Sequence, residues 1–286
     1  MIPKIIHYCW FGQAPLPPLA EECIASWKKH MPDWQYKCWD EASLSQALCE
    51  PNPNPCPKGK GEEDARNTTA RSGEGCWLDY MPLYVKQAYE ARKFAFVSDY
   101  VRLWALERYG GIYVDTDVKV LKSYEQLLID TAFIGMEESK AHLPGTCVIG
   151  CEPHCQWLKD MLSLYEGIEF VKPDGSFDLT TNVQRLGERM KAQGLNKQTS
   201  EDDKPWNRIQ YLEEWGLRVY THDYFSPITS THIMQKTNNT YSIHYFAGSW
   251  VERTRGQIIK AWIFDHILGR RLTDKLVQIK RKMMGR

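Results

Sequence analysis

The stretch from Phe94 to Leu121 constrains this chain more than any other. Residues Phe94 to Tyr109 carry apolar side chains at helical spacing, Gly110-Gly111 marks a turn, and Ile112-Tyr113-Val114 reads as a buried strand. Asp115-Thr116-Asp117 follows directly. Open α/β sheets hold their ligands beyond the carboxyl ends of strands, where this acidic pair falls. Residues two apart on a strand share a face, so strand geometry carried past Val114 would bring Asp115 and Asp117 to one point. Close carboxylates repel, and a hard divalent cation relieves the repulsion by accepting their oxygens. A cation with few protein ligands completes its shell with water and phosphate oxygens, which points to metal-assisted handling of a diphosphate. Asp-x-Asp alone is a short signal, because aspartate is common in turns.

The rest of the chain is read around that unit. Ile5 to Phe11 reads as a strand, Ala20 to His30 as an amphipathic helix and Trp34 to Trp39 as a second strand, an opening that favours a parallel sheet. Leu78 to Arg92 and Phe96 to Arg108 have helical spacing, as do His154 to Tyr165 and Asn182 to Gln193. Short strands are expected at Ile112 to Val114, Val118 to Leu121, Phe133 to Met136, Thr146 to Gly150 and Arg218 to Tyr220. Tyr241 to Tyr245 is expected to close the sheet. Residues 51–75 are polar and rich in Pro and Gly, and are expected to form a mobile insertion. The expected layout is an α/β domain over 1–256, with residues 257–286 forming a basic amphipathic helical tail.

Equal numbers of acidic and basic residues, 36 of each, argue against a nucleic-acid partner. Met1-Ile2-Pro3-Lys4 leads straight into a strand-like segment, and no run of ~18 apolar residues occurs. A cytoplasmic protein is therefore expected, with its nine cysteines reduced. Cys147, Cys151 and Cys155 with His154 match none of the usual paired-cysteine zinc spacings.

Three segments resemble glycosyltransferase family 32 and the related glucosyltransferase domain of large clostridial toxins. The central one runs Phe96-Val97-Ser98-Asp99-Tyr100-Val101-Arg102-Leu103-Trp104, then Tyr109-Gly110-Gly111-Ile112-Tyr113-Val114-Asp115-Thr116-Asp117. The opening Ile2 to Gly12 and the late His244-Tyr245-Phe246-Ala247-Gly248-Ser249-Trp250 resemble the family's first strand and last donor-site segment. The resemblance implies a GT-A type fold, a mixed and mostly parallel sheet flanked by helices.

It also implies roles for single residues. Asp117 is expected to ligate the metal, with Asp115 bridging it to the donor ribose or sugar. Manganese or magnesium suits such oxygen ligands. His244 or Ser249 would complete the shell, though a lone histidine at a strand end is as often structural. Trp10 would stack on the nucleobase, the alternative being a core tryptophan. Ser98, Asp99 and Arg102 would face the donor; Asp99 and Arg102 share one helix face, where a structural ion pair is the alternative. Tyr113 and Trp250 would line the diphosphate and sugar pocket. Thr181 and Asn182 fall near the transferred sugar, although Asp178-Leu179-Thr180-Thr181-Asn182 departs from the family's Thr-Gly-Pro.

The function expected is metal-dependent, retaining transfer of a hexose from a nucleotide-diphosphate sugar, UDP-linked by preference. The acceptor would be a saccharide or lipid-linked saccharide in capsular, lipopolysaccharide or other glycan synthesis. Asp115, Asp117 and Arg102 would carry the catalysis. A sugar-nucleotide phosphohydrolase and a carbohydrate-binding module are the alternatives. Residues 269–286 hold seven basic side chains against one acid, which suits contact with an anionic membrane surface or a solvated helix end. Liposome sedimentation separates the two: deleting 269–286 is expected to abolish binding to anionic vesicles, and equal binding would refute the membrane role.

Overall fold

The computed structural model describes residues 1–49, 76–137, 142–228 and 233–248. The expected insertion at 51–75, the tail at 257–286, Ser249 and Trp250 lie outside these residues. Two strands, β1 (Ile5–Cys9) and β2 (Gln35–Trp39), flank helix α1 (Pro18–His30), and they pair in parallel. α1 begins with proline at its first position, where the missing N–H costs nothing, and ends in Lys28, Lys29 and His30, which favour the negative end of the helix dipole. Ala20, Cys23, Ile24 and Trp27 form its buried stripe.

Helices α2 (Glu41–Cys49), α3 (Cys76–Asp79), α4 (Leu83–Glu90) and α5 (Phe94–Tyr109) then lead into β3 (Gly111–Val114). The helix expected over Leu78 to Arg92 is two helices, because Pro82 lacks the N–H that would continue the first. The remaining elements are β4 (Val118–Val120), β5 (Ala132–Met136), β6 (Pro144–Cys151), α6 (Gln156–Ser163), α7 (Asn182–Ala192), β7 (Gln210–Leu212), β8 (Leu217–Tyr220) and β9 (Ser242–His244).

Seven strands form one sheet in the order β2-β1-β3-β6-β5-β8-β7. The pairings β1–β2, β1–β3 and β5–β8 are parallel, and β3–β6, β5–β6 and β7–β8 antiparallel. Only β6 and β7 therefore run against the other five, so the sheet is mixed and mostly parallel. β9 does not close it. β9 pairs antiparallel with β4 in a separate two-stranded sheet, with Val118 opposite His244. Alternation along β3 shows the layering: Ile112 and Val114 join the α1 side with Trp27 and Val118, and Tyr113 joins the α4–α7 side with Val101 and Trp157.

Two features anchor β3. Gly111 has φ +100°, and a Cβ there would lie 2.7 Å from the Ile5 carbonyl oxygen, so only glycine lets β3 come this close to β1. The Trp39 indole donates to His7 Nδ1 at 3.1 Å, so the His7 proton sits on Nε2 and is donated to the Gly110 carbonyl at 2.8 Å. Burial lowers the pKa of His7 from 6.5 to about 4. A histidine that resists protonation in the fold contributes stability present above pH 6.5 and lost as pH falls toward 4. That contribution is on the order of 3 kcal/mol. His7→Asn is expected to lose that pH dependence in denaturant titrations; parallel pH profiles for the two proteins would contradict it.

Candidate active site

Asp115 and Asp117 do meet, but a turn brings them together. β3 ends at Val114, though the Asp115 N–H still donates to the Cys147 carbonyl on β6 at 2.9 Å, and the turn is closed by the Val118 N–H donating to the Asp115 carbonyl at 3.0 Å. One carboxylate oxygen each of Asp115 and Asp117 and a His244 nitrogen lie within 4.8 Å of one another. His244 arrives on β9, whose pairing with β4 sets it opposite Val118, one residue past Asp117. Its Nε2 lies 3.4 Å from Asp117 Oδ1. The Ala247 N–H donates to Asp117 Oδ2 at 2.8 Å, and the Tyr245 N–H to the Asp117 carbonyl at 3.1 Å.

Arg102 holds the other carboxylate. Its guanidinium reaches Asp99 at 3.0 Å and Asp115 at 3.3 Å, and donates to the Thr146 carbonyl at 2.8 Å and the Ser98 carbonyl at 3.3 Å. It also lies 4.5 Å from the centre of the Tyr113 ring. The Tyr113 hydroxyl donates to Asp115 Oδ1 at 2.9 Å. Two partners thus fix Asp115, whose remaining lone pairs stay available to a further ligand. Thr146 lies where the β5–β6 register slips between Ile134 and Gly135, and bulges of this kind recur beside active sites.

The electrostatics follow burial. Desolvation raises Asp99 to about 6, against the pull of Arg102 and the Asn182 N–H. Burial works against the Asp117 carboxylate too, but His244 and the Ala247 N–H outweigh it and hold its pKa below the ordinary value. Burial disfavours a charged His244, yet Cys147 and Asp117 raise its pKa well above that of a free histidine. Burial pushes the Tyr113 phenol up despite Arg102, so it stays a donor.

Other expected residues have local partners. The Ser98 hydroxyl donates to the Phe94 carbonyl at 3.0 Å. Thr181 caps α7 in a capping box with Gln184. Buried Asn182 donates through its backbone N–H to Asp99 Oδ2 at 3.2 Å and through its side chain to the Asp99 carbonyl at 3.1 Å. Trp10 is half-buried just past β1, and its indole donates to the Ala14 carbonyl at 2.6 Å. Thus Asn182, Asp99, Arg102, Asp115 and Tyr113 form one connected network, while Trp10 stands apart from it in these contacts.

Glu137 and Cys147 were not expected here. Glu137 Oε1 lies 3.7 Å from His244 Nδ1, and both residues fall with His244 in a second ligand group. Cys147 packs on the α1 side of the sheet and Cys151 on the other, since the β6 irregularity breaks the alternation between them.

Part of the chain is similar to known proteins. Residues 17–134 match the family described as "Glycosyltransferase sugar-binding region containing DXD motif", and Asp115-Thr116-Asp117 falls within the match. Over those residues, which make up less than half of its length, the chain is similar to the sugar-binding region of the DXD glycosyltransferases. Over 152 residues it is 25% identical to inositol phosphoceramide mannosyltransferase 1 of Schizosaccharomyces pombe (strain 972 / ATCC 24843), covering 52% of this chain and 36% of that protein. The chain therefore spans about a third of the length of this relative. Among solved structures it is similar to PaToxG glycosyltransferase, at TM-score 0.41 and 17% identity, covering 68% of this chain and 72% of that one. It is also similar to the UDP-bound glycosyltransferase domain of the YGT toxin, at TM-score 0.31 and 12% identity, covering 68% of each chain. Among the described residues no helix is long and apolar enough to cross a membrane.

Proposed function

We propose that this chain transfers a hexose from a nucleotide-diphosphate sugar to a saccharide acceptor, with a divalent cation held by Asp117, Asp115 and His244. The observation that carries this reading is the convergence of those three ligand atoms within 4.8 Å, two of them from Asp115 and Asp117 inside the segment that matches the DXD sugar-binding region. Two carboxylates and one imidazole fit manganese, and also magnesium if water replaces the nitrogen. Such a cation, when bound, neutralises charge that builds on the departing diphosphate.

The chain's own residues do the rest. Arg102 and Tyr113 both hold the Asp115 carboxylate, so the ligand set is pre-organised at low reorganisation cost. Trp10 offers an indole face to a base beyond β1. Ser249 and Trp250 remain proposed donor contacts through the family resemblance. Retention of configuration by front-face attack of the acceptor hydroxyl belongs to the same proposal.

The relative's name speaks of mannosyl transfer, which favours a hexose and puts GDP-mannose beside UDP-hexoses as donors to try. Calorimetric titration of a panel of nucleotide sugars with and without manganese tests the reading. Tight, manganese-dependent binding of one sugar nucleotide is expected. Metal-independent glycan binding with no nucleotide affinity would replace the reading with a binding module, and acceptor-free release of sugar would replace it with a phosphohydrolase.

A further inference from the structure

His244 stands in two ligand sets at once. Its Nε2 faces Asp117 Oδ1 at 3.4 Å, and its Nδ1 faces Glu137 Oε1 at 3.7 Å. A His244 nitrogen, a Glu137 oxygen and Cys147 Sγ lie within 4.8 Å of one another. The first set is dominated by hard oxygens. The second joins a thiol, an imidazole and a carboxylate, donors that suit zinc and its thiophilic relatives far better than magnesium.

Three further observations mark the second set as built. His244 Nδ1 is buried and makes no hydrogen bond of good geometry, although the Cys147 thiol and the Glu137 carboxylate both stand beside it, and a buried polar atom left so calls for a reason. Cys147 is 2% exposed, so its sulfur is shielded from bulk water and oxidants. Gly145 makes room for Glu137 to fold back over β6, since a Cβ there would meet Glu137 Cγ at 2.7 Å. Burial alone would leave Cys147 as a small apolar side chain with its thiol protonated. It does not explain why a carboxylate and an unsatisfied imidazole nitrogen gather beside it.

We propose that Glu137, Cys147 and His244 form a second metal site, for a thiophilic cation of the zinc class, and that filling it excludes the hard cation from Asp115 and Asp117. The exclusion follows from the imidazole ring. A neutral imidazole has one lone pair, on one nitrogen. A cation on Nδ1 leaves the proton on Nε2, where it is donated to Asp117 and cannot be a ligand. As sulfur binds the metal, the Cys147 thiol proton leaves to solvent. The exclusion rests on the reading of Asp115, Asp117 and His244 as the hard-cation site; the thiol site does not.

Cobalt(II) alone, added to the full chain, tests the thiol site. A near-ultraviolet thiolate-to-cobalt charge-transfer band should saturate at one equivalent. It should vanish in Cys147→Ala, and Glu137→Gln should weaken cobalt binding at least about 10-fold. Asp117→Ala should keep the band. Absence of the band in the wild type, or its persistence in Cys147→Ala, would overturn the site. The circular dichroism of Cys147→Ser shows whether the fold survives loss of the sulfur, so a lost band is not misread. Electron paramagnetic resonance of bound manganese tests the exclusion. One equivalent of zinc should release manganese from the wild type, and Cys147→Ala should need a larger zinc excess for the same release, since zinc then competes only at the aspartates themselves. A cobalt band together with manganese that zinc does not move would overturn the exclusion. A chain that never binds manganese would refute the reading of the Asp115–Asp117 site and the exclusion with it, and the cobalt band would still decide the thiol site.

Discussion

Asp117→Ala is expected to lower sugar transfer by at least about 100-fold while the protein stays folded. Asp117 has the geometry of a ligand and little structural duty. Its side chain accepts the Ala247 N–H and faces His244 Nε2, while the backbone bonds that join β4 to β9 do not use it. Its carbonyl still takes the Tyr245 N–H after substitution. Manganese binding, followed by electron paramagnetic resonance, should fall in parallel with activity, and far-ultraviolet circular dichroism should not change. A folded Asp117→Ala protein with full transfer would remove the basis of the proposed function.

The second large effect is on stability. Arg102 sits between two carboxylates with its side chain 7% exposed, and no other cation pairs with either in the described contacts. Arg102→Met leaves Asp99 and Asp115 facing each other without it. Breaking a buried pair in this way costs about 3–5 kcal/mol, because a charge stays behind uncompensated. For a unit of this size that lowers the melting temperature by roughly 10 °C. Asp99 already has its pKa raised to about 6 with Arg102 present. Without Arg102 its protonated form gains further, and a raised acid pKa gives stability that is present at low pH and lost as pH rises. The deficit of Arg102→Met should therefore be largest at neutral pH and shrink below 6. Adding Asp99→Asn should restore part of the loss at pH 7. Thermal melts of the three variants across pH decide this; equal melting temperatures would show that the network contributes nothing.

Local pattern made the helix–turn–strand–acid unit readable. Helix spacing over 94–109, the Gly-Gly turn and the apolar strand need no information from elsewhere in the chain, and the acidic pair comes with them. That Asp99 and Arg102 lie together was legible for the same reason, since residues three apart on a helix share a face whatever surrounds them. Reasoning by strand parity reached the right meeting of Asp115 and Asp117 by the wrong route, because a turn and not a strand holds them. β9 was misassigned to the main sheet, since a short apolar strand carries no mark of which edge it will pair with. α2 (Glu41–Cys49) and β7 (Gln210–Leu212) went unseen for want of a strong period. Glu137 and Cys147 could not have been found at all. Their approach to His244 depends on a register slip in β6 and on pairing between strands more than a hundred residues apart.

That last pairing has a consequence for how the protein matures. Every strand of the seven-stranded sheet has been synthesised by residue 220, yet the imidazole that completes the acidic pair arrives only with residue 244. A nascent chain can therefore hold its sheet, Arg102 and both aspartates before the third of the proposed ligands exists, and on that proposal competence for chemistry waits for β9 to leave the ribosome.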